Sequence, residues 1–465
     1  MLAEKISLAE QPTQLWPGPE LRLAELLGAL SYALDMVEGQ PAGHCVRCCW
    51  IGIHIGRELG LTHSQLWELY YTLLVKDVGC SSNAARICQI YMMDDITFKR
   101  DLMTVNGSLP QVLRFVLSHT GMKAGLAERF RALVNVFQNG GEIVKELMDA
   151  RCDRGAEIAR KMRFSDNVIA AIRSFDEHWD GGGLPARMKG EDIPIYSRIS
   201  LVSQIADVFH TANGVDAAKL EIRNRAGTWF DPRVVEAFER VSKREGFWRA
   251  LQSDELQTKI FELEPPQARC FVDEDYLDDI AAAFAQVIDS KSPFTSGHSE
   301  RVTLFADLIA EQLGFEPERR RWLKRAALLH DIGKLGVSNS ILDKPGKLDD
   351  EEWVAMKDHT TLGENILQKI AAFSDIAMIA GAHHERLDGK GYPRSLNECQ
   401  LPLEVRIVTT ADIFDALTAD RPYRKALPID KALSILKGMV ATQIDPVCLD
   451  ALKRALKQVD AAIAE

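Results

Sequence analysis

No stretch of this sequence reaches the ~18 consecutive apolar residues that a membrane-spanning helix needs. The N-terminus, MLAEKISLAEQP, also lacks the basic segment and following apolar run of a secretory signal. A cytoplasmic chain without a membrane segment is expected. Positive charge is short as well: 56 Lys and Arg stand against 67 Asp and Glu, for a net charge of −11 and a pI near 5.6. Broad DNA binding needs clustered cations that displace counterions, so it is not expected, although a local basic pocket for a small anion is compatible with these numbers. The nine cysteines are scattered and odd in number, which fits a reducing compartment rather than a disulfide framework. His44-Cys45-Val46-Arg47-Cys48-Cys49 offers half a zinc site, but no second pair follows at a usual spacing, so structural zinc is not expected there. Alternating polar and apolar runs of strand type are scarce, and the fold is read as all-α.

What the chain does contain is a repeat. At 465 residues it exceeds what one hydrophobic core usually serves, so two or three domains are the starting expectation, and two copies fit it. GHCVRCCWIGIHIGREL (43–59) aligns with GHSERVTLFADLIAEQL (297–313), and His44 precedes Lys76 by the same 32 positions that separate His298 from His330. EHWDGGGLP (177–185) matches ERLDGKGYP (385–393), and GTWFDPRVVEAF (227–238) echoes ATQIDPVCLDAL (441–452). The offset between copies is 254 early and 208 at the EHWDGGGLP pair (214 at the last), so the first copy carries about 46 extra residues, placed within 82–145. FRALVNVFQNGGEIVKELM has helical periodicity, so the insertion is expected to be helical. Glu264-Pro265-Pro266 cannot continue a helix, and the junction is placed near 265–272, dividing the chain into 1–265 and 266–465.

The second copy concentrates histidine at 298, 330, 359, 383 and 384, each near the end of an apolar helical segment. Any one alone would read as a hydrogen-bonded core residue. Together, with Asp331 beside His330, they need a common explanation. Imidazole nitrogens plus a carboxylate able to bridge two ions suit Fe or Mn, and the lack of nearby cysteine disfavours a thiolate zinc site. Two ions ~3.5–4 Å apart can hold a hydroxide between them and present it in line with phosphorus, which points to phosphoester hydrolysis.

His330-Asp331 with Gly333-Lys334, followed by HHERLDGKGYP at 383–393, resembles the signature of the HD-GYP phosphodiesterases, the branch of the HD metal-dependent phosphohydrolases that opens cyclic dinucleotides. The resemblance covers about residues 290–430 and implies a helical bundle with metals in its middle, hence two tandem HD-type bundles with the first degenerate. It implies His298, His330, Asp331, His359, His383, His384 and Asp412 as metal ligands, with Asp331 bridging. Lys334 is implied as the contact to the scissile phosphate, and Arg421 and Arg424 as grips on substrate phosphate. Asp388, Gly389, Gly391, Tyr392 and Pro393 form the motif loop. Turn chemistry explains its glycines, and Tyr392 is left open as a base-stacking or partner surface.

The implied reaction is hydrolysis of cyclic di-GMP to pGpG, with GMP as a further product in some members. The alternatives are 3′,3′-cyclic GMP-AMP as substrate and, from another class, a receptor that binds without turnover. A homodimer and a protein partner at the motif loop are the assemblies considered. One departure matters: Phe294 stands where trinuclear members place a glutamate, and Ser292 where aspartate is frequent, so two ions rather than three are expected. The first copy keeps His44 and Asp77, and Asp207 is matched to Asp412, but Lys76, Arg151 and Phe175-Asp176 replace His330, His359 and His383-His384, and Cys80 replaces Lys334. Cations at ligand positions repel a metal, and Lys76 and Arg151 are expected to neutralise Asp77 instead.

Overall fold

The computed structural model describes residues 21–105, 107–122, 124–265, 270–420 and 424–464. Among them there is no β-ladder, only isolated bridges. The first half runs α1 (Leu23–Val37), α2 (His44–Glu58), α3 (His63–Val75), α4 (Ala84–Tyr91), α5 (Asp95–Leu102), α6 (Leu109–His119), α7 (Leu126–Lys161), α8 (Asp166–Arg173), α9 (Ile195–Asn213), α10 (Val215–Asn224) and α11 (Pro232–Val241). Two connecting helices, α12 (Phe247–Ala250) and α13 (Leu256–Leu263), lead on. The second half contains α14 (Glu274–Asp289), α15 (His298–Gln312), α16 (Pro317–Leu329), α17 (Asn339–Leu342), α18 (Asp350–Leu367), α19 (Ser374–Ala382), α20 (Leu403–Thr418), α21 (Ile429–Gly438) and α22 (Pro446–Ala464).

Local chemistry explains these elements. Val302, Ala306, Ile309 and Ala310 make a buried stripe at helical spacing on α15, and His298 opens the same stripe. Capping boxes start α3 (Thr62 with Gln65) and α18 (Asp349 with Glu352), satisfying backbone donors that helices leave open. The repeat is visible in fine detail: Arg198 pairs with Asp231 at 2.8 Å at the start of α11, and Arg406 pairs with Asp445 at 2.9 Å just before α22.

The expected insertion is helical. It comprises α4, α5, α6 and an extension of α7, which has 36 residues against 18 in its counterpart α18. Its apolar side chains, among them Ile87, Tyr91, Phe98, Phe115, Val136 and Ile143, form a small core of their own. Among the described residues, most of the remaining buried apolar side chains share one core, which runs from Leu27 and Leu73 through Phe284 and Ile332 to Leu367 and Phe414. At about 2 kcal/mol for each large side chain taken out of water, this continuous burial is the main force joining the halves. Helix α1 lies at the seam: a Cβ on Gly336 would meet the Met36 sulfur at 3.1 Å, and the Lys369 ammonium sits over the Tyr32 ring at 4.1 Å. Of the junction placed at 265–272, residues 266–269 lie outside the described residues. On its far side the chain returns beside the start of α1, with Leu23 N donating to Cys270 O and Val272 N to Leu21 O, each at 2.9 Å.

Candidate metal centre

Five helices deliver the seven residues singled out as ligands. His298 is the first residue of α15, His330 and Asp331 leave the end of α16, His359 sits within α18, His383 and His384 follow α19, and Asp412 lies on α20. The turn after Asp331 must lie directly on α18, because a Cβ on Gly333 would stand 1.9 Å from the His359 carbonyl oxygen. Only glycine permits that approach.

Asp331 is the hub. Its Oδ2 lies 3.4 Å from His298 Nε2 and 3.3 Å from His330 Nε2, while its Oδ1 lies 3.5 Å from His359 Nε2 and 3.6 Å from His383 Nε2. Asp412 Oδ1 is 3.4 Å from His298 Nε2. Two ligand groups result, one of His298, His330 and Asp412 and one of His359, His383 and His384, each with its donor atoms within 4.8 Å of one another and with Asp331 between them.

The outer nitrogens of these rings are occupied. His330 Nδ1 faces Ala327 O at 2.7 Å, His359 Nδ1 faces Met356 O at 2.6 Å, His383 Nδ1 faces Ala380 O at 2.9 Å, and His298 Nδ1 faces Asp415 Oδ2 at 2.7 Å. With Nδ1–H donated outward, each Nε2 lone pair points inward, which is how second-shell partners orient metal ligands. His298 Nε2, His330 Nε2 and Asp331 Oδ1 are buried without a hydrogen-bond partner. Such orphaned acceptors are costly unless a cation completes them, so the residues fit a divalent metal.

Electrostatics agrees with that donor set. Burial pushes the His359 imidazole down to about 3 and holds His384 well below its ordinary range, so both are neutral and ligand-competent at neutral pH. Burial opposes charge on Asp331, but His330, Lys334 and His298 outweigh it and hold the carboxyl well below its usual range. Burial likewise opposes charge on His298, yet Asp331, Asp415 and Asp412 raise it to about 9; the same negative surroundings that hold a proton there would favour a metal cation in its place. Lys334 is partly exposed and donates to Asp331 Oδ2 at 2.5 Å.

Beside the cluster, the Tyr392 ring lies 5.0 Å from that of His384 at 32°. The motif loop is held by Glu385, whose carboxylate accepts from Arg394 N at 2.6 Å and Leu396 N at 2.9 Å. Gly391 packs against Glu385, where a Cβ would stand 2.4 Å from its Cα, and Asp388 accepts from Lys390 N at 3.1 Å. The glycines of this loop therefore do structural work, as their turn chemistry suggested. Arg424 is not gathered with the metal ligands: it donates to the carbonyls of Ala416 at 2.5 Å and Leu417 at 3.0 Å near the end of α20. Arg421 lies outside the described residues. Sequence reasoning missed Asp415 and Arg301, which pair at 2.5 Å behind His298. The signal was available, since Asp412 and Asp415 stand three apart on one helix and share a face.

The HD domain family model matches residues 122–234 and 282–448. A relative from Vibrio cholerae named 3′3′-cGAMP-specific phosphodiesterase 3 is 51% identical over 93% of this chain and 94% of its own length. The chain belongs to the HD-GYP phosphodiesterases. A crystal structure of a cyclic GMP-AMP specific phosphodiesterase of V. cholerae, V-cGAP3, superposes with a TM-score of 0.64 at 46% identity, covering 94% of this chain and 98% of that one. The Cyclic di-GMP phosphodiesterase response regulator RpfG of Xanthomonas campestris is 43% identical, but over 38% of this chain and 47% of its own length. The Cyclic di-GMP phosphodiesterase of Thermotoga maritima is 36% identical over 44% of this chain and 56% of its own length.

Within this HD-GYP protein the first copy has the same scaffold and different chemistry. Lys76 and Asp77 are both buried and form a close ion pair, and the Lys76 ammonium also donates to Gln204 Oε1 at 2.6 Å. Arg151 reaches Asp77 at 3.4 Å and Asp176 at 3.2 Å, with Phe175 beneath both cations. Burial alone would raise the Asp77 carboxyl, but Lys76 and Arg151 bring it down to about 2. The expected neutralisation of Asp77 is what the structure contains.

The match of Asp207 to Asp412 is corrected. His44 Nδ1 meets Asp207 at 2.7 Å, and Arg47 meets the same carboxylate at 2.7 Å, reproducing the pairing of His298 and Arg301 with Asp415. Asp207 is the counterpart of Asp415, and Gln204 stands at the position of Asp412. Near-identical letters, IADVF against TADIF, drew the alignment three residues out of register on the helix. His44, Cys48 and Asp207 do lie close enough to be considered as ligands. Lys76 at 3.3 Å from His44 Nε2, and Arg47 on Asp207, already fill that place with positive charge. The motif loop persists in this copy: Glu177 accepts from Ala186 N at 2.6 Å and Met188 N at 2.9 Å, and Leu184 takes the place of Tyr392.

Proposed function

We propose that this protein hydrolyses 3′,3′-cyclic GMP-AMP at the second-half site, with cyclic di-GMP as the lesser substrate. The sequence alone put cyclic di-GMP first. The order is reversed here because the relative matched along nearly the whole chain is named for cyclic GMP-AMP, whereas the cyclic di-GMP enzymes align over less than half of it. The observation that carries hydrolysis itself is the buried cluster around Asp331, whose orphaned inward nitrogens have no use in a plain binding pocket.

His298, His330 and Asp412 would hold one divalent ion and His359, His383 and His384 the other, with Asp331 shared, and Fe or Mn is the expected metal. When bound, the pair supplies an activated water and neutralises charge on phosphorus. The chain's own residues do the rest. The outward Nδ1 bonds and Asp415 fix the ring orientations, so little reorganisation accompanies binding. Lys334, partly exposed and tethered by one bond to Asp331, is placed to swing its ammonium onto a non-bridging phosphate oxygen as charge builds there. Tyr392 offers a ring face beside His384 on which a purine can stack. Water adds its oxygen to phosphorus, the bond from phosphorus to O3′ breaks, one proton of that water ends on O3′, and a linear dinucleotide with a 5′-phosphate and a free 3′-hydroxyl leaves. Phe294 in place of a carboxylate supports two ions rather than three.

Kinetics on both cyclic dinucleotides under anaerobic conditions, with Fe or Mn quantified, test the reading. The expected result is a higher kcat/KM for cyclic GMP-AMP with two ions per chain. A preference for cyclic di-GMP overturns the substrate assignment, three ions overturn the metal count, and tight nucleotide binding without product by metal-loaded protein points to a receptor.

A further inference from the structure

Asp95 belongs to the insertion of the first half, yet most of its polar contacts are to the second. It opens α5 and is fully buried. Its Oδ1 accepts from the backbone nitrogen of Asn339 at 2.8 Å and from the Ser338 hydroxyl at 3.2 Å, while its Oδ2 faces the Lys291 ammonium at 3.6 Å. Lys291, also buried, donates to the carbonyl of Leu335 at 3.0 Å, inside the turn Ile332–Gly336 that carries Lys334. The Lys291 carbonyl in turn accepts from Asn339 Nδ2 at 2.6 Å. A closed ring of bonds thus ties two segments to one carboxylate, the one leading into His298 and the one leaving Asp331. The other groups facing Asp95 are accounted for: the Cys88 thiol lies 3.6 Å from Oδ1, and Lys99 of α5 directs its ammonium to the carbonyls of Cys80 at 2.5 Å and Val37 at 3.4 Å, with Glu38 at 3.7 Å.

We propose that Asp95, acting through Lys291, is a positioning residue for Lys334 and for the loop ahead of His298, so that the metal-free half sets the turnover of the active half. The physical argument is the cost of a buried ammonium. Burial and the nearby Lys99 disfavour the charged form of Lys291, and the Asp95 carboxylate facing it at 3.6 Å opposes them; without that carboxylate the buried ammonium is uncompensated, and losing its proton or leaving for water releases the Leu335 carbonyl. Asparagine at 95 retains an oxygen for Asn339 but not the counter-charge. Phosphoryl transfer depends on placement, and a displacement of about 1 Å in a positioning group can cost roughly 100-fold in rate.

The inference rests on the phosphodiesterase reading for its rate assay, so two readouts are paired. Full-length Asp95→Asn, Lys291→Met and the double variant are compared with the wild type for kcat, KM and metal content, on cyclic GMP-AMP and on bis(p-nitrophenyl) phosphate, at a temperature where circular dichroism finds all four folded. The expected result is a loss of about 10-fold or more in kcat at unchanged KM and metal content, with the double variant no worse than the worse single one. Hydrogen exchange of residues 332–339, which needs no substrate, should quicken in Asp95→Asn. Wild-type kcat, losses that multiply in the double variant, or unchanged exchange in 332–339 each overturn the proposal. Failure of the wild type on cyclic GMP-AMP alone overturns the substrate reading and leaves the other two readouts to decide.

Discussion

Lys76→Met tests whether the first copy truly replaced its metal with a side-chain cation. Lys76 and Asp77 are both buried, and the ammonium serves Asp77 and Gln204 together. Removing one partner of a buried pair costs ~3–5 kcal/mol, because the other charge stays in the interior. Arg151 remains 3.4 Å from Asp77 and softens the loss, which places the effect near the lower end, about 3 kcal/mol. For a chain of this size the urea slope is about 3 kcal/mol/M or more, so the midpoint should fall by up to ~1 M. Acid supplies a second signature. Asp77 titrates at about 2 in the folded protein, below its unfolded value near 3.9, so the stability it contributes is fully present above about pH 4 and drains away as pH falls toward 2. That contribution is absent from the variant, and the gap between the two proteins should narrow across this window. The double variant Lys76→Met/Asp77→Asn should recover part of the loss, since no uncompensated carboxylate remains. An unchanged midpoint, or a double variant less stable than Lys76→Met alone, refutes the reasoning.

Two further outcomes are expected in the active half. Lys334→Met should lower kcat by ~10²–10³-fold, as losing one charge stabiliser does, with metal per chain unchanged; wild-type initial rates would remove Lys334 from the chemistry. Asp415→Ala takes the acceptor from His298 Nδ1 and should weaken metal binding by ~10–100-fold, read as a higher Mn concentration for half-maximal activity, and an unshifted titration contradicts the orienting role.

Much of this was legible in the letters because the chemistry is carried by short motifs at helix ends. His330-Asp331 and His383-His384 each place two ligands where a helix stops, and the 32-residue spacing from His298 announces a shared bundle. Less legible was anything decided by which face of a helix a residue occupies. Asp207 was paired with Asp412 because aspartate was set on aspartate, whereas the bond to His44 assigns it to the place of Asp415 one turn along. The ring through Asp95 and Lys291 left no local trace, since its members are nearly 200 positions apart and neither belongs to a motif. Arg424, which the motif implies as a substrate contact, donates to carbonyls near the end of α20, a placement no motif announces.

The single core that runs through both copies has a consequence for how such a protein can change over generations. A free-standing relic, once inactive, could accumulate substitutions without penalty. Here α1 and α7 pack directly on α18 and α14, so a substitution that loosens the inactive copy lowers the folded fraction of the whole chain. A shift of 1–2 kcal/mol is enough to alter cellular abundance several-fold. Selection on catalysis thereby reaches side chains that never meet a metal or a nucleotide, and the first bundle stays under scrutiny through the work of the second.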